Sequence, residues 1–211
     1  NEITNLGDGA NFTVESDGNL IQGNDDPVNS GNIISKREFK IGSARGQYNY
    51  VGTPVLFATG ESFKTIFPGS TNTAVLYHNQ SNNTFSTSSG ANIPGRGLAV
   101  KEPPVTTVLT AGKSTAQFTG VPQNGTVIFP VANNNTAVNT LGYNLVGNPY
   151  PSNIDLQELY NINGGKTSVP QITSLNISPT FYFWDNNVND VFVQQGSGYK
   201  GQAYAIYNVL I

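Results

Sequence analysis

Short apolar segments, each cut off by glycine, proline or asparagine, constrain this chain more than any other feature. Its 211 residues include 23 Gly, 12 Pro and 28 Asn. Proline removes a backbone donor and fixes φ, asparagine competes for its own backbone, and glycine supplies the turns. Long helices are excluded on these grounds. What survives between the breaks is strand-like: "YNYVGTPVLFA" (Tyr48 to Ala58), "TAVLYHN" (Thr73 to Asn79), "GLAVKE" (Gly97 to Glu102) and "TTVLTA" (Thr106 to Ala111). The series continues with "TAQFTG" (Thr115 to Gly120), "GTVIFPV" (Gly125 to Val131), "YNLVG" (Tyr143 to Gly147), "TFYFWD" (Thr180 to Asp185) and "QAYAIYNVLI" (Gln202 to Ile211). Many strands at short intervals between turn clusters predict an all-β fold, a β-sandwich of jelly-roll-like kind.

The N-terminal part reads differently. Phe12 and Val14, then Leu20-Ile21, then Ile33-Ile34, recur at roughly ten-residue spacing. That spacing suits hairpins or the end rungs of a β-solenoid, so residues 1–38 are expected to form such a segment and 39–211 the sandwich. "GNDDPVNSGN" (Gly23 to Asn32) reads as a turn-rich junction. One short helix is expected at "SNIDLQELY" (Ser152 to Tyr160), with Ser152 and Asp155 in a capping-box arrangement. Immediately before it, "GNPYP" places Pro149 and Pro151 where neither can donate to a ladder. The strand ending at Gly147 must therefore stop and turn, which explains the stretch without a ligand.

Composition excludes several function classes. Charged residues make up 11% of the chain, against roughly 25% in a typical soluble domain, and the formal net charge is -3. With no basic cluster beyond Lys36-Arg37, there is no electrostatic footprint for nucleic acid. No cysteine is present, so disulfides, thiolate nucleophiles and cysteine-ligated metals are ruled out. No apolar run nears the roughly 18 residues needed to cross a bilayer as a helix. Because the chain opens at Asn1, it is expected to be a processed product or a piece of a longer protein.

Few residues can carry chemistry. "GSGYKG" (Gly196 to Gly201) fits a dinucleotide fingerprint only in spelling, since a strand-like run and not a helix follows it. "DNNVND" sets Asp185, Asn187 and Asn189 at alternate positions, with Asp190 beside them, as a hard-cation loop would. An EF-hand would need glycine where Asp190 stands and glutamate where Gly196 stands, so that motif is excluded. Calcium held by these oxygens, with Asp25 and Asp26 as further donors, is the one cofactor the sequence admits. An asparagine-rich turn is the plainer reading. His78 is the sole histidine and no G-x-S-x-G elbow accompanies it. The acids Glu61, Glu102, Asp155 and Glu158 make no obvious catalytic pair. The expectation is a protein that is not an enzyme, with His78 a wet strand residue.

"FYFWD" offers a binding surface. Strand alternation sends Phe181 and Phe183 to one face and Tyr182 and Trp184 to the other. One face is expected to be core. The other can stack on a sugar ring, with Asp185 or Asn186 taking hydroxyls.

"GYNLVGNPYPSNIDLQELYN", "ISPTFYFWDNNVND" and "GSGYKGQAYAIYN" resemble a segment of large cell-surface proteins of the Bacteroidetes exported by the type IX secretion system. "YNYVGTPV", "IPGRGLAV" and "FTGVPQNGTV" stand in the order seen in that group. The resemblance implies an extracellular or outer-surface location, a β-solenoid ahead of a β-sandwich, and continuation into a sorting domain. The expected function is a structural or adhesive module, or alternatively a carbohydrate-binding module using Tyr182 and Trp184. Its expected partners are surface glycans or further copies of itself, stacked into an oligomer or filament through open strand edges.

Overall fold

The structure is a computed structural model that describes residues 3–6, 12–26, 28–40, 48–67, 75–89, 91–100, 113–133, 142–165, 177–184 and 204–210. Two compact units are present, Asn1–Ser152 and Asn153–Ile211.

The first unit is a β-sandwich. One sheet contains β1 (Thr13–Val14), β2 (Ile33–Lys40), β4 (Val55–Phe57) and β8 (Lys113–Pro122) in the order β1-β2-β8-β4. The other contains β3 (Asn49–Val51), β5 (Val75–Asn79), β6 (Thr84–Thr87) and β7 (Leu98–Val100) in the order β3-β7-β5-β6. Alternation along each strand decides what faces inward. In the first sheet Ile33 pairs with Gly120 and Ser35 with Phe118, so Ile33, Ser35, Ala116 and Phe118 share a buried face. In the second, Val51 pairs with Leu98 and Val75 with Val100, and all four are buried. These two inner faces meet in one hydrophobic cluster.

Helix α1 (Phe63–Ile66) adds to that cluster. Ser62 caps it reciprocally with Thr65: the Ser62 hydroxyl accepts from Thr65 N at 3.1 Å, and Thr65 Oγ1 accepts from Ser62 N at 2.8 Å. The cap aims Phe63 inward, its ring 6.2 Å from Phe118, while Phe57 and Phe67 pack on Phe118 at 6.4 and 6.5 Å. No periodicity in the sequence marks this helix, because "SFKTIF" is too short to show a helical period.

The expected boundary at residue 38 falls inside β2, which ladders with β8 along its whole length, Ile33 to Gly120 through Lys40 to Lys113. Upstream of it, Thr13 pairs with Ile34 and Thr4 with Ser30, both in parallel, the geometry of stacked coils and not of a hairpin. Asn29 fastens this segment to β8. Its amide Nδ2 donates to Pro122 O at 2.9 Å and to Gln22 Oε1 at 2.7 Å, while its Oδ1 accepts from Gln22 Nε2 and Ile3 N. Buried, it has both ends of the amide satisfied.

The proline corner turns as its residues require. Asn148 Oδ1 accepts from Tyr150 N at 3.0 Å and its Nδ2 donates to Ser152 O, an Asx turn with Pro149 and Pro151 buried around it. The Tyr150–Pro151 bond is trans. A side chain on Gly147 would begin 2.5 Å from Gly52 Cα, so the "VGTP" and "VGNP" segments touch backbone to backbone. Only glycine at both positions permits that approach.

In the second unit Asp155 is the N-cap of α2 (Leu156–Tyr160), its Oδ1 accepting from Gln157 N at 2.8 Å and Glu158 N at 3.1 Å. The cap therefore lies three residues beyond the expected Ser152, whose carbonyl is held by Asn148 in the corner. A π-helical turn, Asn161–Gly165, follows. Then β9 (Thr180–Trp184) and β10 (Tyr204–Asn208) form an antiparallel ribbon. The fold is all-β, as the strand spacing predicts. "GTVIFPV" and "YNLVG" are the corrections: Gly125–Val131 joins no ladder, and Tyr143–Gly147 contributes only the bridge from Val146 to Arg96. Gly125 at φ +71° and Pro130 break the first, and Asn144 is engaged elsewhere in the second.

Candidate functional site

Two surfaces carry side chains suited to recognition. The first is the ribbon. Its register pairs Trp184 with Tyr204 and Tyr182 with Ile206, which puts these four on one face. Tyr204 receives Trp184 edge-on at 5.2 Å and Tyr182 edge-on at 6.3 Å, so the three rings form one cluster. Tyr182 is 44% and Ile206 63% exposed. The other face was expected to be core, yet Phe183 is 47% and Tyr207 52% exposed. A two-stranded ribbon has too little surface to hide both rows. The neighbours expected to assist, Asp185 and Asn186, and the cation set of Asp185, Asn187, Asn189 and Asp190, lie outside the described residues, as do Glu102 and Gly196–Gly201. Asp25 and Asp26 sit exposed in a turn where Asp26 N donates to Asn24 Oδ1 at 3.1 Å. Among the described residues no three potential metal ligands cluster.

The second surface is a cleft of about 240 Å³ in the first unit, which sequence reading missed. Arg96 lines it. The guanidinium lies over the Tyr77 ring at 5.4 Å and over that of Phe129 at 6.0 Å. Three local features build this arrangement. Gly95, at φ +79°, lets the chain pass where a Cβ would begin 2.7 Å from Phe129 Cβ. Arg96 bridges Val146, with Gly97 N donating to Leu145 O and Gly147 N to Gly95 O. Asn144 then clamps the far wall: its Nδ2 donates to Ala132 O at 2.9 Å and its Oδ1 accepts from Ala132 N at 3.2 Å. "IPGRGLAV" held the signal, since glycines on both sides of an arginine mark a close backbone approach beside a charge.

His78 lines the same cleft from the end of β5. Its Nε2 stands 3.0 Å from Asn83 Oδ1 and its ring meets Phe85 edge-on at 5.3 Å, while Nδ1 is buried without a hydrogen bond. No acid is among the residues lining the cleft. His78 is thus a strand residue of intermediate exposure in an aromatic and amide setting.

Other titratable groups are shifted by burial rather than by chemistry. Desolvation lowers the Arg37 guanidinium below its ordinary value on the inner face of β2, where Nη1 donates to Lys36 O at 2.8 Å. Desolvation raises Glu61, against a backbone hydrogen bond from Thr119. It raises Tyr150 too, offset by a bond to the Val127 backbone and reinforced by the charge of Asp25, while the phenol donates to Gly125 O at 2.6 Å.

The chain belongs to the family described as domain of unknown function (DUF8693), whose profile matches residues 1–210. No curated protein and no solved structure gives a significant match. No described helix is long and apolar enough to cross a membrane.

Proposed function

We propose that this chain is a non-catalytic adhesive module of a larger extracellular protein, with the β9–β10 ribbon as its contact face for surface glycans. The observation that carries the reading is the ring cluster of Tyr182, Trp184 and Tyr204 on one face of the ribbon, where Tyr182 and Ile206 are exposed and Trp184 and Tyr204 half-buried. Aromatic faces pack on the apolar side of sugar rings, and neighbouring amides take the hydroxyls. The charge-poor, amide-rich composition supports an exterior setting, where a disulfide-free sandwich resembling Bacteroidetes surface proteins would serve as spacer and anchor.

The test is binding of the chain to immobilised bacterial and host polysaccharides, comparing wild type with Tyr182→Ala and Trp184→Ala. Loss of retention with a folded protein supports the reading. Retention unchanged in both variants, or no retention of wild type on any polysaccharide, contradicts it. Self-association through the ribbon would instead appear as concentration-dependent mass that both substitutions abolish.

A further inference from the structure

The Arg96 cleft has a chemistry of its own, separate from the ribbon. Its lining contains one cation and no anion. Among the described residues Arg96 makes no salt bridge and its guanidinium donates no hydrogen bond, while the Tyr77 and Phe129 rings lie 5.4 and 6.0 Å from it. A guanidinium neighboured by rings and by no acceptor keeps the N–H groups at the edge of its plane for a ligand. That edge is the part that grips a carboxylate with two parallel bonds. Because Gly95 and the Val146 bridge fix the backbone, and Tyr77 and Phe129 fix the side chain, the fork is organised before any ligand arrives.

The rest of the cleft narrows the ligand further. At about 240 Å³ it is smaller than the roughly 300–1,000 Å³ of sites for drug-sized molecules, which suits a single ring. Asn79, Gln80 and Ser81 line one side with amide and hydroxyl groups, and Pro130 and Leu145 offer apolar surface. Polar groups for hydroxyls, an apolar wall for a ring face and a fork for an acid together match one kind of molecule.

We propose that the cleft binds a hexuronic acid unit of a glycan, with the sugar carboxylate on the edge of the Arg96 guanidinium. The carboxylate supplies the anion that the cleft lacks, and the ring hydroxyls meet the amide side. Binding is strongest at low salt, because the pair is reached from solvent and is screened as ionic strength rises.

The experiment is an NMR titration of the whole chain with digalacturonate, digalactose and acetate at matched ionic strength. Digalacturonate is expected to shift resonances of Tyr77, Arg96 and Phe129 and to bind at least about tenfold tighter than digalactose, since a charge-assisted bidentate pair distinguishes them. Acetate is expected to bind more weakly than digalacturonate. Arg96→Gln should remove the preference for the acid, and Arg96→Lys, which keeps charge and packing length but not the fork, should weaken it part of the way. Tyr182→Ala should leave it unchanged, which separates this site from the ribbon. Equal binding of digalacturonate and digalactose overturns the proposal. So does acetate competing as well as the sugar acid, no binding of digalacturonate, or acid preference surviving in a folded Arg96→Gln protein.

Discussion

Phe118 in β8 and Phe183 in β9 are both phenylalanines inside strands, one of ten residues and one of five, yet they end in opposite environments. Phe118 is 0% exposed beneath the rings of Phe57, Phe63 and Phe67, whereas Phe183 is 47% exposed. The strand pattern is alike; the number of layers is not. Phe118 looks across to a second sheet and a capped helical turn, while Phe183 belongs to a two-stranded ribbon. The lesson is that alternation assigns a residue to a face, but only the layer opposite decides whether that face is core or contact surface.

That contrast predicts unequal costs for equal changes. Phe118→Ala should cost about 3–5 kcal/mol, the range for a buried phenylalanine truncated to alanine, read as a lower midpoint in urea. Phe183→Ala should cost about 1 kcal/mol or less, as for substitutions away from a packed core. Comparable losses at the two positions would break the distinction.

Asn29→Ala sharpens the comparison from the polar side. It removes the amide that joins Ile3, Gln22 and Pro122, leaving buried backbone groups without partners, and should cost about 2–3 kcal/mol by the same measurement. A change within experimental error would mean that water replaces the amide at no cost.

The smallest effect expected is electrostatic. Burial raises the Glu61 carboxyl, so folding favours its protonated form. The resulting stabilisation is fully present below the ordinary carboxylate range and is lost as pH rises through the raised value of the folded protein. Glu61→Gln should therefore gain on wild type between acidic and neutral pH, with melting temperatures converging as pH falls. A gap that widens on acidification would reverse the sign of the argument.

Much of the first unit was legible because burial there is two-sided and the strands carry a clear period. Val75, Leu98, Val100 and Phe118, each in a short apolar segment, all lie in the hydrophobic cluster, although β7 is buried on both faces. The ribbon partition of Tyr182 and Trp184 from Phe181 and Phe183 was legible for the same reason, while the exposure of both faces was not, since sequence does not count layers. The cap lies three residues beyond Ser152 because Ser152 and Asp155 are both good caps, and the Asn148 turn, which holds the Ser152 carbonyl, favours Asp155. Arg96 was missed because its partners, Tyr77 and Phe129, come from distant segments joined by glycine contacts that leave no periodic trace.

Trp184 is the only tryptophan, so its fluorescence reports on the ribbon alone. Titration with a glycan that the wild-type chain retains should blue-shift its emission and protect it from acrylamide quenching, because ring stacking removes water from the indole. Unchanged emission and quenching at saturating glycan would contradict the ribbon as the contact face.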